Sequence, residues 1–212
     1  MLAFYAGQFR SVELNTTFRR DPTEATVDAW REAVPDDFVF AVKAHQRITH
    51  FYRLRDVEES LPAFLLLARR LGQKLGPVLY QCPPNLRFDR QLIERFLDAL
   101  PSDLRSVFEF RHPSWEEARL LLRQRGVGWC VGETEDRRFD GHLEADPFGY
   151  LRLRRDVYED DELEGWADRM ESALADGRDV YCFVKHEGTA GPLVAKRLDD
   201  LLRSRVRGIA GP

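Results

Sequence analysis

Ser106-Val107-Phe108-Glu109-Phe110-Arg111-His112-Pro113-Ser114-Trp115 alternates like a strand in its first half and meets a proline near its end. Val107, Glu109 and Arg111 share one face, Phe108 and Phe110 the other. A carboxylate and a guanidinium therefore lie on the same side. Pro113 offers no ladder donor and drives His112 toward extended geometry, so the strand stops there. Ser114-Trp115-Glu116-Glu117 then reads as an S-x-x-E capping box opening a helix. A strand, a short link and a helix, with charge gathered at the strand's carboxyl end, form the unit of parallel open sheets and α/β barrels, which place their sites at that end. The same Arg–Glu pair also fits a plain structural role as a plug for the strand end.

Working outward, the unit repeats. Upstream, Leu2 to Ala6 resembles the tail of a helix closed by Gly7, and Ser11 to Asn15 alternates as a strand with Glu13 and Asn15 opposite Val12 and Leu14. Pro22 and Thr23 open a helix to about Ala33, with Ala25, Ala29, Trp30 and Ala33 as its apolar stripe. Phe38 to Ala44 is a strand that places Lys43 at its end, on the face of Val39 and Ala41. A loop with His45 and His50 leads to a Leu61–Leu71 helix. Gly76 to Gln81 is a strand closed by Cys82-Pro83-Pro84, where a cis bond is allowed but not legible. Asp89 to Leu100 is a helix.

Downstream, Val127 to Glu133 is a strand followed by an irregular acidic segment with no evident task. Gly149 to Arg155 puts Tyr150, Arg152 and Arg154 on one face, either as an anion clamp or as partners for carboxylates. Asp161 to Ala175 is a helix, and Val180 to Val184 a last strand ending in Lys185-His186-Glu187-Gly188. A closing helix starts at Gly191-Pro192, with Leu193, Leu198, Leu201 and Leu202 turned inward. Seven strands alternate with helices, while neither a G-x-G-x-x-G after a strand nor a Walker A motif occurs, so a barrel is preferred to a doubly wound sheet.

At 212 residues and 43% apolar side chains the chain can bury a sizeable core, and a single domain over 1–212 is expected. A basic n-region and a long apolar run are both absent, which predicts a cytoplasmic protein without a membrane partner. The formal charge of −4 comes from acidic and basic residues mixed along the chain, so a broad nucleic-acid surface is disfavoured and a local basic pocket is not. Cys82, Cys130 and Cys182 lie in expected strands without C-x-x-C spacing and read as buried free thiols. Only four of the 32 basic side chains are lysines: Lys43, Lys74, Lys185 and Lys196. An amine can deprotonate or form an imine where a guanidinium cannot, and two of the four stand near strand ends.

These pieces resemble a known family, the YecE-like proteins, also called domain of unknown function 72. The resemblance rests on Ser11-Val12-Glu13-Leu14-Asn15-Thr16-Thr17-Phe18, Phe38-Val39-Phe40-Ala41-Val42-Lys43-Ala44, Ile48-Thr49-His50, Gln81-Cys82-Pro83-Pro84, Phe108 to Trp115, Tyr150-Leu151-Arg152-Leu153-Arg154 and Phe183-Val184-Lys185-His186-Glu187. It implies a TIM-type (β/α)8 barrel, incomplete here with seven strands because the family's Gly-Thr-Ser-Gly-Trp first strand is absent. It brings no reaction and no cofactor. The strands at Ser11 and Val180 would keep unpaired edges, a route to homo-oligomers. The family's Phe-Tyr after Asn-Thr-Thr is Phe18-Arg19 in this sequence.

Three functions follow as expectations. In the first, an enzyme binds a small anionic, for instance phosphorylated, substrate through Asn15, His50, Gln81, Arg111, Arg152 and Arg154, and Glu13, Lys43, Glu109 and Lys185 do acid–base chemistry. In the second, a metal-dependent phosphoesterase or nuclease-like barrel draws ligands from Glu13, Glu109, His50, His186 or Glu187, although no ligand spacing points to a metal. The third is a binding or regulatory protein without catalysis, and fold alone does not choose among them.

Overall fold

A computed structural model describes residues 2–185 and 190–209, so His186 and Glu187 lie outside the described residues. The chain divides into two compact units, Met1–Val127 and Gly128–Pro212. Among the described residues there are seven strands, and no helix is long and apolar enough to cross a membrane.

The first unit runs α1 (Leu2–Ala6), β1 (Ser11–Leu14), α2 (Glu24–Glu32), β2 (Val39–Lys43), α3 (Ser60–Ala68), β3 (Leu75–Gln81), α4 (Arg90–Ala99), β4 (Ser106–Glu109) and α5 (Arg119–Gln124). Gly7 ends α1 as expected, its N–H bonding back to the Ala3 and Phe4 carbonyls. Strands β1 to β4 pair in parallel, with Glu13 opposite Ala41, Lys43 opposite Leu79 and Gln81 opposite Glu109. Because side chains alternate, Glu13, Lys43, Gln81 and Glu109 leave the sheet on one face, at its carboxyl ends. The other face is apolar: Tyr80 and Phe108 pack their rings against Phe96 of α4 at 5.3 and 5.8 Å. Gly76 is required where β3 meets β2, since a Cβ there would come within 2.4 Å of the Val39 side chain.

Local departures from the expected pattern have tertiary causes. Strand β4 stops at Glu109, two residues before Arg111. Ser114 does not cap the next helix. His112 does: its Nδ1 accepts the Ser114 N–H at 3.2 Å, with Pro113 in the first turn, whereas the Ser114 hydroxyl accepts the Phe88 N–H at 2.9 Å. Trp115 is fully buried there, stacked on Phe110 at 3.9 Å with its indole N–H on the Leu86 carbonyl. In α2 the expected alanine stripe is largely exposed and Val27 is the buried residue. Alanine offers little apolar area, so the valine and the Asp28–Arg70 ion pair set the helix's rotation. The loop after β2 is a single wide helical turn, Arg47–Phe51.

The second unit holds β5 (Gly128–Glu133), β6 (Gly149–Leu153), α6 (Asp160–Ala175), β7 (Val180–Val184) and α7 (Ala190–Ile209). Its strands are again parallel. Helix α6 opens with a capping box between Glu159 and Glu162 and buries Leu163, Trp166 and Met170. In α7, Leu198 is buried, but Leu193, expected inward, is 69% exposed. The cis X–Pro bond among the described residues is Asp146–Pro147 rather than one at Pro83 or Pro84. The three cysteines are free, Cys82 and Cys130 buried and Cys182 partly so.

Candidate functional site

The carboxyl ends of β1 to β4 carry a connected set of polar groups. Lys43 Nζ donates to Gln81 Oε1 at 2.8 Å, and Gln81 Nε2 donates to both oxygens of Glu109 at 2.8 Å. Arg111 Nε donates to Glu109 Oε1 at 3.2 Å. The amide thus turns its oxygen to the cation and its NH2 to the anion. Lys43, Gln81 and Glu109 are 7%, 4% and 6% exposed, so an ammonium and a carboxylate are held out of water with an amide between them. Arg111 stands at the open end, its side chain 39% exposed. Removing one member of such a chain would cost its neighbours a buried, charge-assisted hydrogen bond.

The neighbouring loops complete the set. Lys43 Nζ lies 3.9 Å from the centre of the Phe18 ring, whose plane meets the His50 ring edge-on at 4.9 Å. Thr49 Oγ1 is 2.9 Å from His50 Nδ1. Thr17 Oγ1 lies within hydrogen-bond distance of the Leu14 and Lys43 carbonyls and ties the β1 exit to the end of β2. Asn15 Nδ2 donates to Glu13 Oε1 at 2.9 Å. The His50 imidazole is held below its ordinary pKa, first by burial and then by the positive charges of Lys43, Arg111 and Arg53. Both causes favour the neutral ring. Burial, reinforced by Glu109, pushes the Cys82 thiol up, so Cys82 is not a ready nucleophile.

Seven of the residues singled out from sequence thus share the first unit: Glu13, Asn15, Lys43, His50, Gln81, Glu109 and Arg111. Arg152, Arg154 and Lys185 belong to the second unit, where Arg152 is buried within β6 and Lys185 pairs with Asp156 at 2.7 Å. Among the described residues no group of three or more His, Cys, Asp or Glu side chains is arranged to hold a metal ion.

Sequence reasoning missed two things. Phe18 ends the motif at 11–18, and no local pattern places its ring against Lys43. In the second unit, Glu133 at the end of β5 is buried and accepts from Trp166 Nε1 at 3.3 Å and the Phe139 N–H at 3.2 Å, while Arg155 bonds Glu162 at 2.6 Å and covers the Tyr158 ring at 4.8 Å. Burial raises the Tyr158 hydroxyl well above its ordinary pKa, and the Arg155 hydrogen bond holds Glu162 below the usual carboxylate range. The signal for Glu133 was present, since it ends its strand as Glu109 ends β4. Arg155 gave none, because it closes the 149–155 run on the face opposite Arg152 and Arg154.

The family model described as "Protein of unknown function DUF72" matches residues 1–212. The chain belongs to the DUF72 family. Of its DUF72 relatives, the UPF0759 protein YecE of Escherichia coli (strain K12) is 36% identical over 136 residues, 60% of this chain and 50% of YecE. That alignment spans about half of the relative's length. The UPF0759 protein YunF of Bacillus subtilis (strain 168) is 24% identical over 250 residues, covering 99% of this chain and 89% of YunF. Among solved structures, a DUF72 protein from Enterococcus faecalis V583 superposes with a TM-score of 0.78 at 15% identity, covering 98% of this chain and 93% of that one. A DUF72 protein from Thermotoga maritima MSB8 gives 0.74 at 22% identity, covering 94% and 85%. At these identities the likeness shows the fold: the chain has the TIM-type α/β architecture of the family, with the expected seven strands among the described residues.

Proposed function

We propose that this DUF72 protein is an enzyme that takes a small anionic substrate at the carboxyl ends of β1 to β4 and moves a proton on it. The observation that carries the reading is the Lys43–Gln81–Glu109–Arg111 chain, in which buried charge is kept at the strand ends where parallel α/β folds put chemistry. Arg111, half-exposed at the open end, receives the anion with a planar fork of donors. Lys43 supplies fixed positive charge toward which negative charge can develop, steadied by Gln81 and the Phe18 ring. His50, neutral because of burial and its cationic neighbours, accepts the proton. Glu109, with both oxygens engaged, orients Gln81 and Arg111 and does not itself exchange protons. Glu13, held by Asn15, is the second carboxylate within reach of this face.

The test has two arms. Thermal-shift titration with inorganic phosphate, phosphate monoesters and small carboxylates should stabilise the wild type, and Arg111→Ala should abolish the shift. Deuterium wash-in from D2O, followed by proton NMR on the anions that bind, should proceed with the wild type and stop in His50→Gln while binding survives. Binding without wash-in for any anion would favour the non-catalytic reading, and no anion binding at all would remove this proposal.

A further inference from the structure

The first unit contains a cavity apart from the strand-end site. It lies between the approach to α2, the wide turn after β2, and α3, and has a volume of about 400 Å³, in the range of small-molecule sites. Its lining includes none of Lys43, His50, Gln81, Glu109 or Arg111.

The end of this cavity near the start of α3 is polar. His45, 8% exposed, accepts the Arg47 N–H through Nδ1 at 3.1 Å, which leaves its ring proton on Nε2. The Ser60 hydroxyl oxygen is buried without a partner. Nε of Arg70, beyond the other end of α3, is also buried without a partner, while the rest of that guanidinium pairs with Asp28 and Glu24. A buried hydroxyl is nearly always satisfied, and the Ser60 O–H and the His45 Nε2–H can both be met by one acceptor oxygen. The remaining wall is apolar: Ile48, Ala63, Phe64, Leu66 and Leu67. Seven residues of helix separate Ser60 from Leu67, about 10 Å of wall, and Leu66 at its lip is 71% exposed. The charges at the rim are balanced, Asp21 and Glu24 against Arg47 and Arg70. Net charge therefore gives no preference to an ionic ligand.

We infer that this cavity binds a small uncharged molecule with a carbonyl oxygen at one end and a short aliphatic chain, the oxygen accepting from Ser60 and His45 and the chain lying along Phe64 and Leu67. The inference is independent of the reading of the strand-end site. Hexanamide, hexanoate and hexylamine form a matched probe set, used with the full chain in isothermal titration calorimetry and ¹H–¹⁵N NMR. Hexanamide should bind saturably with a Kd of about 1 mM or tighter. Its NMR shifts should centre on Ser60 and His45. Ser60→Ala should weaken it by about fivefold, the size of one neutral hydrogen bond. Leu67→Trp, which fills the space without touching the polar end, should abolish binding in a protein whose circular dichroism and Tm are those of the wild type. Hexanoate or hexylamine binding as tightly as hexanamide would overturn the inference. So would hexanamide binding unchanged by both substitutions, or no saturable binding to the wild type.

Discussion

Gln81 holds the strand-end site together because its neutral amide faces the cation with its oxygen and the anion with its NH2. Replacing it with leucine leaves Lys43 and Glu109 buried without their bridge, and Gln81→Leu is expected to destabilise the protein by about 2–4 kcal/mol in urea unfolding. A change within about 0.5 kcal/mol, the range of an ordinary surface substitution, would show that the two charges re-pair unaided. His50 offers a second measurement. Its pKa, followed by NMR, should lie below the ordinary imidazole value, and Lys43→Met should raise it only part of the way back, since burial is the larger cause and Lys43 the second. The linkage sign follows: the unfolded chain binds the proton more readily, so this group's contribution to stability is present above the ordinary histidine pKa and is lost as pH falls through the lowered one. Full recovery in Lys43→Met would invert the order of causes.

Elements are fixed by contacts that lie far apart in sequence. Lys74 reads from sequence as a lysine of no functional weight, and the structure gives it a task at the end of α2. Its ammonium donates at 2.8 Å to the carbonyls of Arg31 and Val34, with a side chain only 11% exposed. A cation at a helix carboxyl end is favourable, so Lys74→Met should cost about 1–2 kcal/mol of stability and leave any anion binding at Arg111 unchanged. In the second unit, α6 is fastened through Glu162, whose carboxyl the Arg155 hydrogen bond holds below the usual range. That stabilisation is present above the ordinary carboxylate pKa and is lost as pH falls through the lowered value. Arg155→Met should therefore flatten the acid side of the stability–pH profile. An unchanged slope would assign the acid sensitivity to other carboxylates.

Across the molecule, the free thiols report on opening. Burial raises the Cys82 thiol, and pushes that of Cys182 up to about 12, so neither forms a thiolate readily in the native protein. Cys182 sits in the partly covered β7, and Cys82 and Cys130 are buried. With a thiol-specific reagent near pH 8, Cys182 should react first and slowly, and the other two only in denaturant. Rapid native reaction of Cys82 would mean that the exit of β3 opens without global unfolding.

Period-two patterning and proline stops are local properties of the chain, and they suffice for the alternation of strands and helices, for Lys43 and Gln81 at strand ends, and for the faces of Glu13 and Glu109 within their strands. Which side chains then meet was decided by tertiary structure alone. Phe88 claims the Ser114 hydroxyl and hands the cap to His112, Arg70 helps turn α2 so that Val27 rather than its alanines is buried, and Trp166 meets Glu133 across 33 residues. The donors around the cavity at Ser60 and His45 come from a helix start and a strand exit with no shared pattern. Such pairings depend on register and packing between segments distant in sequence, and a one-dimensional pattern carries only the facing of each segment, not its neighbour.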